Sequence, residues 1–201
     1  MDRLIAGYRE FRKSRWPAER ARYADLAENG QKPRALVIAC SDSRSDPATI
    51  FNAGPGELFV IRNVAAIVPP YEIDTSHHGT SAAIAFAVLS LNVSNILVMG
   101  HAQCGGVAAA LDHSIADGVP FLKSWIDLLE PAVQSLSQHE HAHTALEREA
   151  VKLSLERLME FPFIAERVHA GSLTLHGARF GIADGRLEVL DPQTGKFMPI
   201  D

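Results

Sequence analysis

The sequence contains no long apolar run and nothing that resembles the apolar core of a signal peptide. No stretch reaches the ~18 to 20 apolar residues that a membrane-spanning helix needs. The N-terminus begins Met1-Asp2-Arg3 and carries a charge every few residues instead. We therefore expect a protein of the cytoplasm with no membrane partner.

Basic charge is also scarce. The chain has 19 Lys and Arg against 24 Asp and Glu, which leaves a formal net charge of -5. A dedicated nucleic-acid binder usually carries a basic patch, so we expect a small-molecule substrate and no nucleic-acid partner. A hydrophobic content of 47% with 21% charged residues is enough for a substantial core and excludes a disordered chain.

Cysteine is the scarcest informative residue. The only two are Cys40 and Cys104, against nine histidines. Two thiols in a reducing compartment seldom form a structural disulfide. They are therefore buried residues without a chemical role, reactive thiols or metal ligands. The spacing of other potential ligands in the sequence distinguishes these alternatives.

Three short apolar runs, at 35–39, 58–61 and 96–99, have the uninterrupted pattern of strands buried on both faces. The Ala-rich stretch 79–91 between the second and third predicts a crossover helix. Alternation of strands and helices predicts an α/β fold with a mainly parallel central sheet.

The remaining chain extends this pattern. Helices are predicted at 121–129, 144–161 and 162–170, and a strand pair at 172–177 and 186–190. Residues 1–28 predict an amphipathic helical arm that Pro17 interrupts. No composition shift marks a linker, so we expect one domain over residues 1–201.

Polar side chains follow each of the three predicted strands. They are Cys40 and Asp42, then Arg62, then His101 with Cys104 shortly after it. Ligands of parallel sheets bind beyond the carboxyl ends of the strands, so these residues are expected at one site.

Two cysteines and one histidine are a known ligand set for catalytic zinc, with a fourth position left open. Asp42 and Arg44 lie close to the first of these ligands, and the guanidinium would hold the carboxylate ionised. The residues alone leave other interpretations open. Cys40 is equally compatible with a small buried apolar residue or a redox thiol, and the Asp-Arg pair with a surface ion pair.

A second metal motif spans residues 139–143, where His139-Glu140-His141-Ala142-His143 satisfies the metalloprotease pattern His-Glu-x-x-His. Its polar surroundings, the additional histidine inside the motif and the lack of a downstream ligand favour a solvated helix face. His77 and His78 are interpreted as solvated loop histidines, with a proton relay as the alternative.

The segment Cys40-Ser41-Asp42-Ser43-Arg44, followed by Gly100-His101-x-x-Cys104-Gly105-Gly106, resembles the β-class carbonic anhydrases. The resemblance continues through 62–65, 68–71, 79–84 and 175–177 and covers nearly the whole chain. It implies a mainly parallel sheet flanked by helices. It also implies a homodimer or larger homo-oligomer, in which the arm packs across a neighbouring subunit and the partner completes the substrate cleft.

The resemblance further implies one Zn²⁺ per chain, bound by Cys40, His101 and Cys104, with Asp42 and Arg44 as the catalytic pair. The implied reaction is the reversible hydration of carbon dioxide to bicarbonate and a proton, through attack by a hydroxide held on the zinc. The same site could instead act on carbonyl sulfide or carbon disulfide, or belong to a non-catalytic relative that binds zinc or bicarbonate.

Five positions match substrate-binding residues of the family's plant-like branch: Gln31, Phe59, Val64, Phe86 and Gly105. The branch with an allosteric bicarbonate site has Trp three residues before the first cysteine. This chain has Val37 there, so we expect no such regulation.

The chain departs from the family pattern at three positions. Ser45 stands where the family usually has Val, Ala66 where it has Asn, and Ala85 where it often has Glu or Gln. None of these removes a ligand or the Asp-Arg pair, but they leave the polarity of the cleft and the rate open.

Overall fold

The computed structural model describes residues 1–74, 76–115, 119–136 and 141–200. Six strands form its sheet: β1 (Ala35–Cys40), β2 (Leu58–Asn63), β3 (Asn95–His101), β4 (Thr174–Phe180), β5 (Leu187–Leu190) and β6 (Phe197–Pro199). Their order across the sheet is β2-β1-β3-β4-β5-β6. The first four of these pair in parallel, and β5 and β6 are antiparallel additions at one edge.

The helices of the described residues are α1 (Asp2–Ser14), α2 (Trp16–Asn29), α3 (Pro47–Ile50), α4 (Gly79–Ala85), α5 (Gly105–Leu111), α6 (Leu122–Ile126), α7 (Glu130–Ser135), α8 (Ala142–Leu158) and α9 (Pro162–His169). A π-helical turn continues α4 over Phe86–Ser90. Short 3₁₀ turns lie at Ser43–Ser45, Val64–Ala66 and Asp127–Leu129. None of these helices is both long enough and apolar enough to cross a membrane.

The core explains the apolar run of β1. Leu36 and Ile38 belong to the main core cluster, which also contains residues of α4, α8 and α9. Val37 and Ala39 belong to a second cluster, with residues of β3 and β4. Because successive side chains of a strand alternate between the two faces, a strand covered on both must be apolar throughout. The predicted mainly parallel α/β sheet is confirmed.

The N-terminal arm is two helices that break at Arg15, and Pro17 lies in the first turn of α2, where its fixed φ is tolerated. Phe11, Trp16 and Tyr23 pack together, with ring centroids 5.1 to 6.3 Å apart. Neither helix contains a buried residue. On α1, Leu4 is 73% exposed, so an apolar face of the arm is not covered within one chain.

Candidate metal centre and active site

Three potential metal ligands meet at the carboxyl edge of the sheet. Cys40 is the last residue of β1, His101 is the last residue of β3, and Cys104 immediately precedes α5. Since β1 and β3 are parallel neighbours, their ends lie side by side. The ligand atoms of the three residues lie within 4.8 Å of one another and all three residues are buried.

The donor set fits zinc. The two Sγ atoms are 4.0 Å apart, close to the about 3.8 Å expected for two sulfurs on one tetrahedral Zn²⁺. His101 holds its ring with Nδ1, which lies 2.9 Å from the carbonyl oxygen of Ala102 and therefore donates to it. The other ring nitrogen, Nε2, is buried and has no partner of hydrogen-bond geometry among the described residues. A buried polar atom without a partner is costly, and metal ligation would satisfy it.

The protonation of the two thiols suits metal binding. The pKa of Cys40 is lowered to about 4, chiefly because the Cys104 thiol donates a hydrogen bond to it. The neighbouring His101 side chain and the backbone amides of Asp42 and Ala65 act in the same direction, against the effect of burial. The pKa of Cys104 is raised by that same hydrogen bond and by burial. One thiolate therefore forms readily, and a bound metal would displace the second proton.

Asp42 and Arg44 form a bidentate ion pair beside this cluster. The Nη2 and Nε atoms of Arg44 lie 2.7 Å from Oδ2 and 3.0 Å from Oδ1 of Asp42. These hydrogen bonds, and one from the Arg44 backbone amide, hold the pKa of Asp42 well below its ordinary value. Oδ2 of Asp42 is 4.0 Å from Nε2 of His101. An ionised carboxylate thus faces the metal position without joining the ligand cluster.

Arg62 fixes the loop that carries this pair. Its Nε donates to the Cys40 carbonyl at 2.9 Å, and its Nη2 donates to the carbonyl of Asp42. Its Nη1 lies 3.1 Å from Oδ1 of Asp46, which in turn caps α3. The sequence predicts for Arg62 only a position at the end of a strand. The structure shows that it braces the backbone of the first ligand loop.

Two of the family departures lie in this region. Ser45 is fully buried and its hydroxyl donates to the Asp42 carbonyl at 3.1 Å, so this polar replacement supports the loop. Ala66 has φ 56°, in the left-handed region that Asn adopts more easily than Ala. Ala66 adopts this region at a cost of about 1 to 2 kcal/mol.

The residues predicted to bind substrate do not all reach the metal within one chain. Val64 follows β2 directly and Gly105 begins α5. Phe59 lies near the other end of β2, about 13 Å from the strand end by strand rise. It packs against Phe86, with ring centroids 5.8 Å apart, and Gln31 is exposed between α2 and β1.

A cavity of about 530 Å³ opens beside Val64. Trp125 forms part of its wall and donates from Nε1 to the Val64 carbonyl at 2.9 Å. His77 and His78 also line it, and Nε2 of His78 lies 2.7 Å from Oδ1 of Asp74. The two histidines thus border a cavity that Asn63 and Val64 also line, and neither belongs to a metal-ligand group among the described residues.

The second metal motif is only partly visible, because His139 and Glu140 lie outside the described residues. Nδ1 of His143 lies 2.9 Å from Oε1 of Glu147. Where the structure describes the chain, the single group of His, Cys and acidic residues that could hold a metal is the Cys-His-Cys cluster.

Glu147 contacts the turn between two of the potential ligands, and the sequence alone did not single it out. It is 2% exposed on α8, and its Oε1 accepts the backbone N–H of Gln103, between two of the ligands, at 2.6 Å. The available signal was a lone acidic residue directly after Leu146 and one turn before Ala150 and Val151, on the buried face of a helix.

Comparison with known proteins agrees with this geometry. Residues 35–187 match the family model described as carbonic anhydrase. Over 198 residues, 94% of this chain, the sequence is 35% identical to β carbonic anhydrase 3 of Arabidopsis thaliana, of which it covers 76%. It is 37% identical over 202 residues to a carbonic anhydrase of Pseudomonas aeruginosa, covering 98% of this chain and 90% of that one.

Solved structures give the same result. The β-carbonic anhydrase CcaA superposes with a TM-score of 0.92 at 33% identity, over 100% of this chain and 92% of that one. A study of two tetrameric β-carbonic anhydrases from Sordaria macrospora provides a match with a TM-score of 0.80 at 30% identity, covering 94% of this chain and 95% of that one.

Fold and site together define an α/β protein with a Cys-His-Cys metal centre at the carboxyl edge of a parallel sheet. The chain belongs to the β-class carbonic anhydrase family, whose members are zinc enzymes. The family resemblance and the zinc cofactor expected from the sequence are confirmed. The assignment to the plant-like branch stays a prediction.

Proposed function

We propose that this chain catalyses the reversible hydration of carbon dioxide to bicarbonate and a proton. The observation that carries the proposal is the ionised Asp42, paired with Arg44 and 4.0 Å from the unpartnered Nε2 of His101. A structural zinc site needs no carboxylate held in this way, whereas a hydrating site needs a hydrogen-bond acceptor beside the metal.

Cys40, His101 and Cys104 would hold the zinc, leaving its fourth position open. Bound zinc supplies a nucleophile from water at near-neutral pH, because it lowers the pKa of that water. Asp42 accepts a hydrogen from the reacting water and so orients it. Arg44 keeps Asp42 ionised and fixes its rotamer through three side-chain hydrogen bonds, while Val64 contributes an apolar wall for carbon dioxide.

The substrate cleft is completed by a second copy of the chain. Gln31, Phe59 and Phe86 match cleft positions of the family, yet in this chain Phe59 and Phe86 pack together far from the metal edge. Phe86 is 49% exposed and the arm leaves Leu4 uncovered, so both surfaces are free to meet a partner. The tetrameric relatives from Sordaria macrospora support a homo-oligomer.

The other expectations fit this proposal. The six strands form one sheet, which supports a single domain over residues 1–201 with the arm at 1–28. A cytoplasmic location is consistent with two unpaired cysteines. The intact Asp42–Arg44 pair argues against a non-catalytic relative, because a zinc or bicarbonate sensor needs no oriented acceptor.

The test is stopped-flow hydration of carbon dioxide by zinc-analysed protein, with carbonyl sulfide and carbon disulfide assayed in parallel. We expect one zinc per chain and rapid hydration. A zinc-loaded protein without hydration activity would contradict the proposal. Hydrolysis of either sulfur analogue at a higher kcat/KM would transfer the assignment to that substrate.

A further inference from the structure

Glu147 is the one buried acidic side chain among the described residues, and the proposed reaction does not use it. Three donors converge on its carboxylate. The Gln103 backbone N–H and Nδ1 of His143 lie 2.6 and 2.9 Å from Oε1, and Nε of Arg179 lies 2.7 Å from Oε2. Burying a carboxylate is costly unless it is paired, and Arg179, itself 11% exposed, provides the pairing.

The contact with Gln103 connects this carboxylate to the metal centre. Gln103 lies between the ligands His101 and Cys104 and has φ 55°, a left-handed conformation that non-glycine residues rarely adopt. Such a conformation persists only where the surroundings enforce it. The strained residue's own amide donates a charge-assisted hydrogen bond to the buried carboxylate, and this bond supplies such a restraint.

We propose that Glu147 is a positioning residue that holds the turn from His101 to Cys104 in its metal-binding conformation. It acts through the Gln103 amide, and Arg179 on β4 anchors its second oxygen. Glu147 on α8 and Arg179 on β4 together restrain this turn. The spacing of the ligands His101 and Cys104 therefore does not depend on the short turn alone. This inference rests on the zinc site of the proposed function and is independent of the substrate.

The chemistry of the site requires a carboxylate. A glutamine at position 147 has one acceptor oxygen and a donating NH₂ group, whereas all three neighbours of Glu147 donate. Glu147→Gln therefore sets the NH₂ group against a donor in either amide orientation. Glu147→Asp keeps the charge but withdraws it by one methylene, so partial retention is expected.

The chain offers a matched control in Glu188. It binds Arg148 at 2.9 Å and also approaches Arg179 at 3.5 Å, within the same charge network, but it has no contact with Gln103. Glu188→Gln therefore disturbs the network without removing the hydrogen bond to the metal-binding turn.

The experiment measures zinc release from the holoenzyme to a chromogenic chelator. We expect Glu147→Gln to release zinc about 10- to 100-fold faster than wild type, Glu147→Asp to be intermediate, and Glu188→Gln to match wild type. Cobalt-substituted Glu147→Gln should show altered absorption bands, because the ligand geometry relaxes. Neither measurement requires carbon dioxide. Both can therefore be interpreted even if the chain does not hydrate carbon dioxide.

A wild-type release rate and an unchanged cobalt spectrum in Glu147→Gln would overturn the proposal, as would equal acceleration in Glu188→Gln. Should Glu147→Gln not fold, Glu147→Asp and Gln103→Gly still decide the question. Gln103→Gly removes the strain at that position. Glu147→Asp should therefore accelerate zinc release less in the Gln103→Gly background than in the wild-type background. An equal acceleration in both backgrounds would contradict the proposed role.

Discussion

The Sγ atoms of Cys40 and Cys104 lie 4.0 Å apart although 64 positions separate the two residues in sequence. The distance is short because β1 and β3 are adjacent parallel strands and the chain turns directly into α5 after β3. A metal bound by both sulfurs would therefore link the segment after β1 to the segment between β3 and α5. Binding to the folded state alone would stabilise the protein.

The first prediction concerns the identity of the ligands. Cys104→Ser and Cys40→Ser should each lose stoichiometric zinc, because the remaining two protein ligands cannot hold it tightly. His139→Ala, in the second metal motif, should retain zinc at the wild-type ratio. Elemental analysis after gel filtration distinguishes these outcomes. Zinc lost in His139→Ala and kept in Cys40→Ser would reverse the assignment of the metal site.

A second prediction separates Asp42 from the metal ligands. Asp42→Asn should keep one zinc per chain but lose about 10²-fold or more in kcat, since the amide cannot accept the hydrogen as a carboxylate does. Asp46→Asn is the control for loop support alone, because Asp46 pairs with Arg62 and caps α3 in the same loop but is not in the metal-ligand group. It should lose much less kcat than Asp42→Asn. Full activity in Asp42→Asn would remove Asp42 from the mechanism.

The sequence was sufficient to predict the parallel strands and the convergence of Cys40, His101 and Cys104, because both predictions depend on local signals. An apolar run followed by a polar residue marks the end of a buried strand, and Cys40 and His101 both stand there. Parallel topology then brings the strand ends together, so the convergence of ligands follows without knowledge of any loop.

The supporting residues could not be predicted in the same way. Glu147 approaches the metal turn from a helix 44 positions away, and that contact depends on how α8 packs on the sheet. Gln103 and Ala65 adopt positive φ although neither is glycine. Their residue types therefore do not predict a strained turn. The strand β6 was also missed, because only Phe197–Pro199 pair with β5 and so short a segment has no periodicity.

A third prediction concerns pH. Arg44 holds the pKa of Asp42 well below its ordinary value, so Asp42 stays ionised throughout the assay range and cannot cause an acid limb above about pH 4. Two thiolates and a neutral imidazole cancel the formal charge of zinc and weaken its effect on water. The stopped-flow rate should therefore rise above neutral pH. A profile that is flat from mildly acidic to alkaline pH would contradict this charge argument.

The fourth prediction tests whether Gln31 serves the partner subunit. Mixed dimers, isolated with two different affinity tags, would contain one Gln31→Ala chain and one Asp42→Asn chain. The Gln31→Ala chain keeps its own Asp42 and receives Gln31 from its partner, so we expect about half of the wild-type activity per dimer, well above either parent homodimer.

The reverse arrangement is the control for the same question. One chain carries both substitutions and is paired with a wild-type chain. If Gln31 acts across the interface, the wild-type subunit receives alanine from its partner and the dimer is strongly impaired. Half of the wild-type activity in this dimer would show that Gln31 serves its own subunit.

The last prediction uses the two adjacent glycines that begin α5. A Cβ added at Gly106 would lie 2.9 Å from Cγ1 of Val64 and 3.0 Å from Cβ of Ala65, whereas one added at Gly105 would meet nothing within 4 Å. Ala65 donates its backbone amide to the Cys40 sulfur and has φ 65°, so it has little freedom to move away.

Gly106→Ala should therefore destabilise the fold by about 1 to 3 kcal/mol, as overpacking of a close-packed site does, and lower Tm by roughly 2 to 4 °C for each kcal/mol. Gly105→Ala should leave Tm unchanged or slightly higher, because alanine is the better helix former. Thermal unfolding with and without a chelator separates packing from metal loss. Equal Tm values for the two variants would show that the α5 N-terminus is not closely packed on the turn after β2.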